Sequence, residues 1–406
     1  MSVKTLDVNL FDLGLFADGP PHEVFRQLRE EAPVCFLPEP DGPGYWAVTG
    51  YEDVMEVSRH PQLFGSHPNT MIKDPSPREG DAGAGAGEIM LNQDPPRHTQ
   101  LRKLVNKGFT PRQIALLKPR IREIVARLVD AAAAKGAFDL VEDVAVELPL
   151  QVIAELVGVP EDERHTVFAW TETMMSIGDP DLGGTEADAR VAMAEMFAYA
   201  DRLAAERAGG EGSDLLSVLL AAEVDGDRLT PMDVDLFFML LMNAGSETTR
   251  NLITGGMLTL FEHRDAREQL LADMSLVPSA IEELLRFVTP VMHFRRTCRA
   301  DTELGGQAIA AGDKVSMWYV SANRDAAAFE DPDHFNVERT PNDHVAFGAG
   351  GPHFCLGASL ARLEARVIFE ELLTRLPTLE AAGPPRRLRS NFINGIKELP
   401  VRVPAP

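Results

Sequence analysis

A mainly α-helical fold with small β-sheets is what this sequence predicts, and three observations carry that reading. Apolar residues recur at helical spacing with few interruptions from Pro111 to Gly209. A second helical pattern runs from Thr230 to about His263, and its middle, Leu236-Phe237-Phe238-Met239-Leu240-Leu241-Met242, is apolar on every side, as expected of a helix that crosses a core. The extended pieces, by contrast, are short: Val34-Cys35-Phe36, Tyr45-Trp46-Ala47-Val48 and Met292 to Cys298. No linker divides the 406 residues, which are expected to form one domain, β-richer to about residue 90, helical from 91 to 290, with a glycine-bent loop at 347–357.

Composition narrows the function classes. A net charge of -23 argues against a general nucleic-acid binder. The three cysteines, Cys35, Cys298 and Cys355, are distant and odd in number, so no disulfide framework is expected and a cytoplasmic setting fits. Met1 to Leu15 holds Asp7 and Asp12 and no long apolar run, so neither a signal peptide nor a membrane anchor is expected.

In chain order, Pro21 to Glu31 reads as a short helix, the two apolar pieces after it as strands, and Glu52 to Arg59 as a further helix. Residues 68–87 are rich in Gly, Pro, Ala and Asp and are expected to be a mobile loop. Asp94 can cap, and Pro95 open, the next helix. On that helix His98 and Arg102 are four apart and share a face, a pair able to clamp a carboxylate. Between Arg97 and Arg122 stand eight Lys or Arg residues and no acid, a local positive patch in an acidic chain. The helices beyond break near 158, 178 and 183; Trp170, Met174, Met175, Met193 and Met196 flank the second break as core or as pocket lining, and the break at 178–184 is expected to move.

Thr230-Pro231-Met232-Asp233 supplies a cap, a first-turn proline and an acid to the long helix. Its apolar run is then interrupted by Ala244-Gly245-Ser246-Glu247-Thr248-Thr249. An acid and hydroxyls there are costly to bury unless partnered or used. Gly245 permits close approach of a flat cofactor or a local widening of the helix. Ser279 reads as the cap of a helix carrying Glu283 and Arg286 on one face. In the strand Met292 to Cys298, Arg295 and Arg296 point to opposite faces, so only one of them can face the edge of a bound cofactor. Asn394-Gly395 reads as a tight hairpin. In Phe347-Gly348-Ala349-Gly350-Gly351-Pro352-His353-Phe354-Cys355-Leu356-Gly357, four glycines and a proline shape a tight loop that closes on a thiol, just before a helical pattern over 358–375. A thiol at such a helix start tends toward the thiolate, a form suited to ligating iron.

This loop resembles the haem-binding loop of the cytochrome P450 family of haem-thiolate monooxygenases, and the resemblance extends over nearly the whole chain. Four motifs occur in the family's order: the His98/Arg102 helix, Ala244-Gly245 with Glu247-Thr248, Glu283-x-x-Arg286, and the Cys355 loop. The resemblance implies a cytochrome P450 fold with haem b held between the long helix and the loop, and Cys355 as its axial ligand. Phe347, His353 and Gly357 would form the loop, Ala244 and Gly245 would lie against the haem, and His98, Arg102, Arg296 and His353 would contact its propionates. Arg295 would then be the solvated arginine. Thr248 would hydrogen-bond dioxygen while Glu247 helps relay protons, and Arg339 would lock onto Glu283 and Arg286 as structural support. The implied activity is hydroxylation of an apolar small molecule (lipid, fatty acid, sterol or terpenoid) with O2 and two electrons. A ferredoxin with its reductase would supply those electrons, docking on the basic patch.

Two other readings are weighed: a peroxide-driven haem-thiolate enzyme, which would need neither Glu247-Thr248 nor a dock, and a non-catalytic haem sensor or carrier. Phe347 to Cys355 is eight steps along the chain, one more than in the family's usual loop. That longer loop, with Glu247-Thr248-Thr249-Arg250-Asn251 and Asn394-Gly395-Ile396-Lys397, is similar to actinobacterial members that hydroxylate sterol side chains or methyl-branched lipids at a terminal carbon.

Overall fold

The short extended pieces assemble into one five-stranded sheet, in the order Val34–Leu37, Tyr45–Val48, Lys314–Trp318, His293–Cys298, Phe64–Gly65. Only the pairing of 46–48 with 315–317 is parallel. Both faces are covered, which is why Tyr45–Val48 is an unbroken apolar run rather than an alternating one. Trp46, Val48, Val315 and Met317 pack with Val54, Val57 and Val345, while Cys35, Tyr45, Ala47 and Trp318 pack with Phe25 and Leu28 of the helix His22–Glu31.

This is a computed structural model, and it describes residues 8–74, 89–175, 184–207, 212, 214–224 and 226–404. The expectations of a mobile 68–87 loop and a moving 178–184 break fall largely on 75–88 and 176–183, outside the described residues. Internal packing groups the chain into two compact units. The first comprises Met1–Pro96, Gly255–Cys355 and Arg387–Lys397, and holds the sheet. The second comprises Arg97–Thr254, Leu356–Arg386 and Glu398–Pro406, and is mostly helical.

In the second unit, Lys118–Lys135 buries Ile121, Ile124, Val125, Leu128 and Val129 at helical spacing and packs on Ala358–Arg375. Arg164–Met175 packs on Glu186–Arg207, where Met196 is fully buried as core. Gly158, at φ +98°, ends the helix Glu147–Val157 as its position suggested. A three-stranded sheet, Glu380–Ala381, Pro400–Arg402 and Ala137–Asp139, is too short to leave a period-2 signal. The long helix is Pro231–Glu262, 32 residues, begun by a reciprocal cap: the Asp233 amide donates to Thr230 Oγ1 at 3.1 Å and the Thr230 amide to Asp233 Oδ2 at 2.9 Å.

In the first unit the helix Val277–Val288 carries the buried Glu283 and Arg286, both 0% exposed. Arg286 donates to the two Glu283 oxygens at 2.7 and 2.8 Å; Arg339 Nε reaches both at 3.1 Å, with Asn342 Nδ2 and the Asn336 amide completing the shell. Burial pushes the Glu283 carboxyl up, but Arg286, the Asn336 amide and Arg339 outweigh it and hold the group below the ordinary carboxylate value.

Four local expectations are corrected. Asp94 does not cap: its carboxylate accepts from the Ser66 and His67 amides and from Arg299, and the helix begins at Arg97. Ser279 lies inside its helix and donates to Leu276 O. Asn394-Gly395 makes no tight hairpin, because Asn394 is tied by its amide to Pro290 O and by Nδ2 to Val288 O. Arg295 is not solvated but 3% exposed, bonded to Met71 O, Ile72 O and Asp74. Buried Lys314 joins that network through Glu39, Asp74 and Ile72 O.

Candidate functional site

The candidate residues fall into two groups, one in each unit. In the first, the 347–357 loop is anchored by its glycines. Gly348, Gly350 and Gly351 all have positive φ (+91°, +84°, +74°), and a Cβ on Gly351 would stand 2.3 Å from Ser58 O. Ser58 Oγ in turn donates to Gly350 O at 2.9 Å. The Cys355 amide donates to Phe347 O at 2.9 Å, closing the loop on itself. Of the three cysteines, Cys35 and Cys298 are buried in strands and Cys355 is exposed. Burial pushes the Cys35 thiol up to about 11 and the Cys298 thiol upward, disfavouring a thiolate at either. The helix itself starts at Ala358, with Gly357 at its N-cap.

Arg296 is 5% exposed, and its guanidinium donates to Arg295 O at 2.9 Å. Among the described residues no carboxylate lies within ion-pair distance of it. Burial draws its pKa down, with the charges of Tyr319 and Asp94 opposing. A buried cation without a counter-charge is costly, so this position is suited to an anionic group of a ligand. His353 Nε2 lies 3.0 Å from Ser66 Oγ.

In the second unit, His98 is 1% exposed on the helix Arg97–Val105, and Arg102 Nε donates to Asn106 Oδ1. Along the long helix, Leu240, Ala244 and Thr248 recur every fourth residue; Ala244 is exposed and the other two half-buried, in a stretch otherwise mostly buried. One stripe of this core helix is therefore open. Thr248 Oγ1 donates to Ala244 O at 2.9 Å and the helix stays regular, so it does not widen. A Cβ on Gly245 would meet Ile153 at 3.0 Å, so the close approach there is that of the neighbouring helix. Glu247, 7% exposed, receives Arg250 Nη2 at 2.5 Å. Burial raises its pKa, Arg250's charge lowers it, and Glu172's charge raises it.

The basic patch is smaller than its sequence suggests. Arg97 pairs with both oxygens of Asp233 at 2.8 Å, Arg120 with Glu123 and Glu155, and Arg122 with Glu370 at 3.7 Å. Lys103, Lys107 and Arg112 are exposed and without ion pairs among the described residues. Sequence reasoning missed Glu172, Ser66 and Lys314, each of which acquires its place from a partner far away in the chain.

Comparison with known proteins adds the family context. The family model for cytochrome P450 matches residues 174–391. The chain is 43% identical over 411 residues to the methyl-branched lipid omega-hydroxylase of Mycobacterium tuberculosis, covering 98% of this chain and 95% of that protein. It is 44% identical to the steroid C26-monooxygenase of Rhodococcus jostii, covering 96% and 83%. Among solved structures, a Mycobacterium marinum cytochrome P450 in complex with pseudoionone superimposes with a TM-score of 0.90 at 40% identity, covering 99% of this chain and all of that one.

Proposed function

The chain belongs to the cytochrome P450 family, and on that premise we propose that it hydroxylates the terminal carbon of a methyl-branched aliphatic chain, as carried by a branched lipid or a sterol. Its membership makes it a haem-thiolate monooxygenase of apolar substrates that uses O2 and electrons from a redox partner. The terminal position is our finer reading. One observation carries it: relatives named for methyl-branched lipids and for steroids match nearly the whole chain at similar identity, and the substrates of both names can present a branched chain end.

The described residues fit haem b. An exposed cysteine in a pinned loop can supply the thiolate, a buried arginine lacking a carboxylate suits a propionate, and the open 240/244/248 stripe leaves room beside a core helix. When bound, haem supplies the iron centre at which dioxygen is activated for insertion into a C–H bond. We assign Cys355 as the iron ligand, with Phe347, His353 and Gly357 shaping its loop. Arg296, His98, Arg102 and His353 are assigned to the propionates, and Ala244 to the haem side of the helix, whereas Gly245 faces Ile153 of the neighbouring helix. Thr248 would hold dioxygen through its hydroxyl, releasing Ala244 O, and Glu247 would hand it protons. The 406 residues act as one catalytic domain in this reading, in the cytoplasm. Among the described residues no helix is long and apolar enough to cross a membrane.

The test is a ferric spin-state titration with methyl-branched fatty acids, sterols and straight-chain acids, followed by product analysis. Branched substrates are expected to bind tightest and to yield terminal alcohols; oxidation only at internal carbons would reject the terminal assignment. We further propose that the electron donor is a ferredoxin, an acidic carrier docking on Lys103, Lys107 and Arg112. Neutralising these three is expected to slow reduction by roughly ten-fold at low ionic strength and to flatten its salt dependence. Stopped-flow reduction at several salt concentrations checks this, and an unchanged salt slope would remove the dock.

A further inference from the structure

In the first unit, the half of the Cys355 loop that carries the additional residue, Gly350 to His353, is held by two serines of one segment. Ser58, near the end of the helix Tyr51–Arg59, donates through Oγ to Gly350 O at 2.9 Å. Ser66, just beyond the strand Phe64–Gly65, places Oγ 3.0 Å from His353 Nε2. Ser66 is 1% exposed, and its hydroxyl has no other hydrogen-bond partner among the described residues. Its backbone is fixed by Asp94, which accepts from the Ser66 amide at 2.7 Å and from the His67 amide at 3.0 Å and pairs with Arg299. Gly65 pairs with Thr297 in the antiparallel ladder, which sets Ser66 beside Arg296. Ser66 thus adjoins two of the groups assigned to the propionates, Arg296 and His353.

We propose that Ser66 is a positioning residue for the haem: its hydroxyl donates to His353 Nε2, and so presents His353 Nδ1–H as the donor to a propionate. This rests on the assignment of His353 to a propionate above. The direction of the hydrogen bond follows from the hydroxyl. A buried O–H has one proton to place, and among the described residues Nε2 is the acceptor it meets. In a neutral imidazole the nitrogen that accepts carries no proton, so the ring proton stands on Nδ1. Rotation of the ring would leave the Ser66 hydroxyl buried without an acceptor, which holds the ring in place. A propionate that receives Nδ1–H has part of its charge offset. Without that donor more negative charge is felt at the iron, which disfavours the ferrous state and weakens the hold on the haem. Ser66 touches no reacting atom and acts through His353.

The experiment uses full-length, haem-loaded protein carrying Ser66→Ala, Ser66→Thr, His353→Gln, or Ser66→Ala with His353→Gln. Two readouts need no turnover: the ferrous-to-ferric ratio at a fixed solution potential, and the rate of haem transfer to apomyoglobin. Ser66→Ala is expected to lower the ratio roughly three-fold and to speed transfer roughly three-fold, a loss of the size set by one hydrogen bond. Ser66→Thr keeps the hydroxyl and should restore both. In the His353→Gln background Ser66→Ala should add nothing, whereas a serine that only supports the loop would add its full effect there. Wild-type values in Ser66→Ala, or an undiminished effect in the double variant, would overturn the proposal. A third measurement depends on no Ser66 variant: nitrogen-15 correlation spectra of the reduced, carbon-monoxide-bound wild type, read at the histidine signal that His353→Gln removes. An Nδ1–H tautomer is expected there, and an Nε2–H tautomer would overturn the proposal as well. If His353→Gln itself leaves ratio and transfer rate unchanged, the propionate assignment of His353 fails; if His353→Gln moves them and Ser66→Ala does not, only the role of Ser66 fails.

Discussion

Replacing Cys355 by alanine is expected to abolish the thiolate-type Soret band of the reduced, carbon-monoxide-bound protein and to bring turnover below detection. The reason is the difference among three thiols. Cys35 and Cys298 are buried in strands where desolvation raises their pKa, so neither is disposed to ionise. Cys355 alone is exposed, in a loop held by three glycines in a backbone conformation that other residues avoid and by the Ser58 contact with Gly350. Alanine replacement at Cys35 or Cys298 should therefore keep the band, at some cost in packing. A band that survives Cys355→Ala would sink the assignment of the ligand.

The second large effect is expected at Glu283. Changing it to alanine leaves Arg286, 0% exposed, without its counter-charge and withdraws the acceptor shared by Arg339, Asn342 and the Asn336 amide. Breaking a buried pair from one side costs about 3–5 kcal/mol, a large fraction of a domain's stability. Urea unfolding at pH 7 should show a loss of that size, or no soluble folded protein. The sign with pH follows from the lowered carboxyl. Its stabilisation is present above the ordinary value of 4.5 and is lost as pH falls through the folded-state value. The gap between wild type and Glu283→Ala should accordingly narrow on acidification. A gap that widens on acidification would mean that Arg286 draws its support from elsewhere.

How much could be read in advance depended on the distance over which each feature is determined. The Cys355 loop, the Glu283-x-x-Arg286 pair and the Thr230/Asp233 cap lie within a few residues, so composition and spacing display them directly. The long helix was legible because an apolar run on all faces has few other solutions. Asp94 illustrates the opposite case. Read locally it is a helix cap, yet its carboxylate is held by amides 27 and 28 positions upstream, which no local pattern signals. Asn394-Gly395 misled for the same reason, since Pro290 and Val288 claim the asparagine.

By itself the sequence determined the class of fold, the thiol, the acid and hydroxyl set in an apolar helix, and through them the family chemistry, because each is a short-range pattern of residue types. Only the tertiary structure decided which charges remain available. Arg97 is neutralised by Asp233 and Arg120 by Glu155, Arg295 is drawn into a buried network with Asp74, and Glu172 is brought beside Glu247. Those pairings join residues tens to hundreds of positions apart, and burial then sets what each pair contributes.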